Sequence, residues 1–195
     1  MPAAGFFAAI AAKQNNPEAR VTIFERGQKV LAKVLVTGGG RCNLTNSFAR
    51  IGDLKQAYPR GDKMMKRLFN VFDHDDTWRW FEERGVKLLT QEDECVFPVS
   101  QSAQSVVDAL TKEAHRLGVE VRTGHALEGL KPLPNGDLQL EFKAQNRLRS
   151  IGWLSLRVAL RVQKACNIWL VWAMILCRQC LRSLHLILPM LPLRP

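Results

Sequence analysis

The chain has 195 residues, 47% hydrophobic and 24% charged, which excludes global disorder and collagen-like or mucin-like sequence and allows a buried core. Five cysteines at irregular spacing form no disulfide framework and no signal peptide opens the chain, so a reducing cytoplasm is the expected compartment. The formal net charge of +10 is unevenly placed: residues 147–195 hold eight cations and no Asp or Glu, leaving 20 cations against 18 acids before them. Those last residues also carry three of the five Trp and three of the five Cys, so the expected division falls between 1–146 and 147–195.

Residues 3–14 are rich in small residues and Phe, which suits a helix packed closely on a sheet, and Asn15-Asn16-Pro17 ends it. Arg20–Glu25 reads as a buried parallel strand. Residues 27–46 carry glycines and are expected to stay mostly irregular. Asp62–Asn70 and Asp73–Arg84 read as helices, the second with Trp78, Trp80 and Phe81 inward and an acidic start at Asp73, Asp75 and Asp76. Val86–Leu89 and Cys95–Phe97 are short strands joined through Glu92-Asp93-Glu94, read as a solvated loop. Ser100 or Ser102 caps a helix to Leu117 with Val106, Val107, Leu110 and Ala114 at core spacing; Gly118 stops it before a strand at Val119–Arg122. Leu127–Leu130 and Leu138–Phe142 flank a Pro134-Asn135-Gly136 turn. Strands alternating with helices indicate an α/β, Rossmann-like architecture.

Three stretches could carry chemistry. At the start, Gly5, or Ala4 in a shifted alignment, fits the last small position of a dinucleotide-binding turn; a plain amphipathic N-terminal helix fits as well. Glu25, roughly twenty residues on, is placed to accept hydrogen bonds from an adenosine ribose, unless it is a solvated strand-end acid. The richest stretch is Lys33–Asn46, KVLVTGGGRCNLTN. Gly38, Gly39 and Gly40 let backbone N–H groups face a phosphate or flavin edge, Arg41 can neutralise an anion, and Asn43, Thr45 and Asn46 add directed polar contacts. Cys42 reads as a small packing residue rather than a nucleophile, and His74, His115 and His125 lack ligand-spaced partners, so no metal site is expected.

With GFFAAIAA, VTIFE, TGGGRCNLTN, ECVFPVS and GVEVRTGHALEGL, residues 3–146 resemble the BaiN/YhiN-like family of NAD(P)/FAD-dependent oxidoreductases. The resemblance implies a FAD-binding domain of the two-dinucleotide-binding-domain flavoprotein type, with NAD(P)H as the candidate reductant and a small-molecule substrate. It places Ala4 and Gly5 at the FAD pyrophosphate and Glu25 on the ribose. The same resemblance implies that Lys33 and the Thr37–Asn46 run, Leu44 included, contact the cofactor, and that the Leu127 backbone contacts the adenine. The resemblance assigns no catalytic residue. Set against the family pattern, the first strand and its leading glycines are missing, so an incomplete domain is expected.

For residues 147–195, Arg178 and Arg182 oppose a membrane span, each costing about 2.5–3.5 kcal/mol at a bilayer centre. Translation out of frame from about residues 146–148 explains the composition better, because synonymous codons for residues 157–186 read in a shifted frame can restore a family-like continuation. The expected protein is then an inactive flavoprotein fragment with no nucleic-acid partner. The competing expectation is a small α/β nucleotide-binding or interaction module whose basic tail contacts nucleic acid or anionic membrane.

Overall fold

The computed structural model describes residues 3–134, 138–143 and 148–150. The out-of-frame tail expected over residues 147–195 lies outside the described residues from 151 onward.

Helix α1 (Ala3–Asn15) is apolar on most sides, and Ala3, Ala4, Phe6, Phe7, Ala9 and Ile10 are all buried. A one-sided amphipathic helix is therefore excluded. Its neighbours explain the pattern: it packs against strand β1 (Thr22–Phe24) and helix α5 (Ala103–Arg116), while Phe7 meets Trp80 and Phe81 of α4 (His74–Glu82). Small residues let these backbones approach, and the Phe rings fill the remaining space.

Strand β1 pairs in parallel with β5 (Glu120–Arg122), Thr22 opposite Glu120 and Phe24 opposite Arg122. Helix α5 leads into β5 as α1 leads into β1, so the two helix–strand units lie side by side, as in Rossmann-like domains. Ser102 caps α5 by accepting from the Gln104 N–H, and Val106, Val107, Leu110 and Ala114 are buried as their spacing predicts. Glu113 is buried on the same helix, its carboxylate bridging Arg84 at 3.0 Å and Arg116 at 2.8 Å.

A second sheet is antiparallel, with β4 (Cys95–Pro98) between β2 (Thr45–Asn46) and β3 (Leu88–Thr90). β3 begins two residues later than the sequence suggests. A third antiparallel sheet runs β6 (Leu127–Pro132), β7 (Leu138–Phe142), β8 (Leu148–Ser150). β8 pairs with β7 beyond the composition break at Asn146.

The 27–46 stretch stays mostly irregular, as its glycines suggest: 3-10 turns within Val34–Gly40 are interrupted by non-helical backbone at Thr37, Gly38 and Gly39, and the stretch packs on α5, anchored by buried Leu31 and Val34. One expectation needs correction. Glu94 is not simply solvated, since its carboxylate accepts from the Ser47 hydroxyl and lies 3.0 Å from the Arg50 guanidinium. An acidic hairpin tip is thereby tied to the chain leaving β2. Helices α2 (Leu54–Ala57) and α3 (Asp62–Phe69) follow, Asp53 capping the first; α4 opens with a reciprocal Asp73–Asp76 capping box.

Candidate functional site

The carboxyl edge of the β1–β5 pair forms one half of the site. A short turn reverses the chain between α1 and β1, which places the α1 N-terminus at the edge where β1 ends. Open α/β sheets bind their ligands at that edge. The first turn of α1 contains no acid to oppose an anion there. Ala4 is buried in the core and Gly5 is partly open.

Glu25 stands just past β1 and is only 8% exposed, which overturns the solvated strand-end alternative. Its backbone N–H donates to the Arg122 carbonyl at 2.8 Å and its carbonyl accepts from His125 N–H at 2.8 Å. One carboxylate oxygen accepts from the Gly27 N–H at 2.7 Å. The chain thus curls around the carboxylate. The His125 ring packs against Phe24 and Phe142, and Phe142 lies opposite Leu127 in the β6–β7 register. Glu25 and Leu127, separated by a hundred residues, are brought to one end of the fold by this His–Phe wedge.

The glycine loop forms the other half. The 3-10 segment breaks at Thr37 (ψ 150°), and Gly38 and Gly39 follow in the left-handed region at φ 55° and 67°. A Cβ on Gly38 would sit 2.7 Å from the Asn43 backbone nitrogen and 2.9 Å from the Phe97 ring. Gly38 is therefore required by the loop's own packing, whereas the next two glycines are open: a Cβ would meet nothing within 4 Å at Gly39 and only the Leu35 carbonyl oxygen, at 3.8 Å, at Gly40. Lys33 precedes the segment and is exposed.

Arg41 is held in place rather than free. Its Nε donates to the Gly38 carbonyl at 3.2 Å, a terminal nitrogen donates to Gln101 at 3.3 Å, and its guanidinium lies 4.3 Å from the centre of the Phe97 ring. Cys42 is buried in the left-handed region at φ 63°, and burial pushes its thiol pKa up despite a Thr37 hydrogen bond. Leu44 is buried, and its N–H is committed to the Val96 carbonyl at 2.9 Å. Thr45 and Asn46 form β2, and Asn46 Oδ1 accepts from the Phe48 N–H at 2.8 Å. Asn43 differs from its neighbours. Its side chain touches the Cys95 thiol, while Oδ1 is buried with no hydrogen-bond partner among the described residues.

Sequence reasoning did not find the ring cluster beyond this loop. Phe48, at φ 58°, packs against Phe69 (5.3 Å), His74 (5.4 Å) and Tyr58 (6.4 Å). Nor did it find Phe97 as the floor under Arg41. No local pattern announces either, because both join residues from separate elements. Among the described residues no group of His, Cys, Asp or Glu is arranged to hold a metal ion, and no helix is long and apolar enough to cross a membrane.

Parallel helix–strand units with a buried acid at the carboxyl edge and a left-handed glycine loop define a Rossmann-type nucleotide-binding domain. Residues 2–152 match the HI0933-like protein Rossmann domain, and the chain belongs to that family. The match crosses the composition break. The chain is 32% identical over 129 residues to a 3-dehydro-bile acid delta(4,6)-reductase of Clostridium scindens, covering 66% of this chain and 31% of that protein. It is 30% identical over 125 residues to a ribosomal RNA dihydrouridine synthase of Escherichia coli, covering 62% and 28%. The chain thus spans about a third of the length of these curated relatives.

Proposed function

We propose that this chain is the FAD-binding part of a flavin-dependent reductase that adds hydrogen across an activated carbon–carbon double bond. The observation that carries the reading is the Gly38–Asn43 loop, which combines an open side at Gly39 with a buried acceptor at Asn43 that no described residue satisfies. Buried polar atoms are rarely left without a partner, and a bound donor supplies one. The names of both relatives describe products of such a reduction, a dihydrouridine and a bile acid reduced at a delta(4,6) unsaturation.

In this reading the start of α1 at Ala4 and Gly5 faces the pyrophosphate, Glu25 accepts from the adenosine ribose, and Leu127 borders the adenine. Lys33 and the Thr37–Asn46 run hold the rest of the cofactor, Asn43 through Oδ1 and Arg41 as a cation fixed over Phe97. The residues named here would hold FAD, which when bound would supply the redox chemistry, with NAD(P)H as the source of reducing equivalents. Cys42 stays a neutral thiol that packs the loop, since burial raises its pKa. Among the described residues Cys42 and Cys95 are free thiols. Turnover is assigned to a complete oxidoreductase, of which the matched segment makes about a third.

The test is a FAD titration of the purified chain, followed by flavin fluorescence. Saturable quenching is expected, weakened at least about tenfold by Gly39→Val and by Asn43→Ala with the far-ultraviolet dichroism unchanged. Glu25→Gln should weaken competition by ADP more than competition by riboflavin. Absence of saturable FAD binding, or binding indifferent to both loop substitutions, overturns the reading.

A further inference from the structure

From the basic surface of α2 and α3, we infer that the folded domain carries a binding face for single-stranded nucleic acid. Residues 50–67 contain six cations, Arg50, Lys55, Arg60, Lys63, Lys66 and Arg67, against two acids, Asp53 and Asp62. All six cations are exposed. The near-neutral balance of residues 1–146 conceals this, because it averages a local +4 against acids elsewhere.

The fold gathers these charges. Met65 and Leu68 are buried on the inner side of α3, which turns Lys63, Lys66 and Arg67, at i, i+3 and i+4, to the other side. Lys66 reaches Asp53 at 3.8 Å, so α2 and α3 present one surface. Both acids sit at helix starts, where the backbone dipole already favours them. Arg50 pairs with Glu94 and Lys66 with Asp53; Lys55, Arg60, Lys63 and Arg67 have no ion-pair partner among the described residues.

Aromatic contacts select the partner. Tyr58 lies in the middle of the basic run, half-buried, stacked toward Phe48 and edge-on to Phe69. Cations interleaved with a partly exposed ring suit a strand whose phosphates are neutralised while an unpaired base stacks on the remaining ring surface. An anionic membrane is the poorer fit: the apolar side chains of α3 point inward apart from Met64, which leaves no wedge to insert. Phe48 joins this face directly to the glycine loop through Asn46, so a strand lying here passes beside the candidate site. The inference is independent of the redox reading and departs from the expectation of no nucleic-acid partner.

The full chain should be titrated into a fluorescently labelled oligouridylate, with binding read by anisotropy at several salt concentrations. Lys63→Gln/Lys66→Gln/Arg67→Gln should weaken binding at least about tenfold and reduce the log–log salt slope by about 2, at about 0.7 per lost phosphate contact. Tyr58→Ala should cost at least about fivefold at every salt concentration. FAD titration should be unchanged in the triple variant, which separates failure of this inference from failure of the cofactor reading. Undiminished oligonucleotide binding by the triple variant would assign it to residues 147–195 and overturn the inference. Equal binding of duplex and single strand, or a stronger effect of the triple variant on phosphatidylserine vesicles than on the oligonucleotide, would also overturn it.

Discussion

Gly38 and Asn43 are in such close register that a Cβ on the first would lie 2.7 Å from the backbone nitrogen of the second. Two penalties then add at one residue, the left-handed φ of 55° and a backbone collision that no side-chain rotation relieves. Gly39 shares the left-handed conformation (φ 67°) but not the collision. Gly38→Ala is expected to cost about 2–4 kcal/mol of stability and Gly39→Ala about 1–2 kcal/mol. Urea midpoints at constant slope measure both, and equal losses would show that the loop does not close on itself as described.

Phe7 touches Trp80 at 4.5 Å and Phe81 at 5.8 Å between ring centres and is only 1% exposed. It is the point where α1 and α4 share a core. Phe7→Ala should cost about 3–5 kcal/mol, a large share of the 5–15 kcal/mol typical of a domain. Phe7→Leu should cost roughly half as much. Thermal melts of the two variants order the losses.

Glu113 is the buried acid between two guanidiniums. Hydrogen bonding from Arg116 first, then from Arg84, holds its pKa down to about 2 from 4.5, against the opposing effect of burial. A depressed folded-state pKa contributes stability that is fully present above the unfolded value and is lost as pH falls through the folded one. The loss therefore runs from about pH 4.5 to about pH 2. Glu113→Gln should lower stability by about 3 kcal/mol at pH 7, because Arg84 loses its buried partner, and should flatten the acid limb. Denaturant titrations at pH 7, 4 and 2.5 check the convergence of the two proteins.

Cys42 and Cys95 should differ in reactivity. Burial raises the pKa of both thiols, but Cys42 lies inside the loop and Cys95 is partly open. Alkylation at pH 8 mapped by mass spectrometry should label Cys95 first and leave Cys42 protected until denaturant is added. Rapid modification of Cys42 in the native protein would identify an activated thiol instead of a packing residue.

Much of the fold is legible along the chain because its causes are local. Ser102 and Asp73 cap the helices they precede, and the spacing of Val106, Val107, Leu110 and Ala114 marks the inner face of α5. Glycines 38–40 signal a left-handed backbone, though not which of them is crowded. The site is only half legible for the same reason. Glu25 is visible as an acid closing a strand, but its burial depends on Gly27 folding back and on Arg122 and His125, a hundred residues away. Glu94 looks solvated in an acidic run until Ser47 and Arg50 arrive from the other side of β4.

Capping, periodicity and the absence of a Cβ act over a few residues, so the class of element at each position and the backbone freedom of the loop can be read along the chain. Packing of distant elements is what holds Gly38 against Asn43 and Phe97 while Gly39 opens outward, leaves Asn43 with an unused buried acceptor, and brings Lys66 of α3 to Asp53 at the start of α2. Those facts depend on distances between residues far apart in the chain, and such distances exist only once hydrophobic burial has packed the elements together.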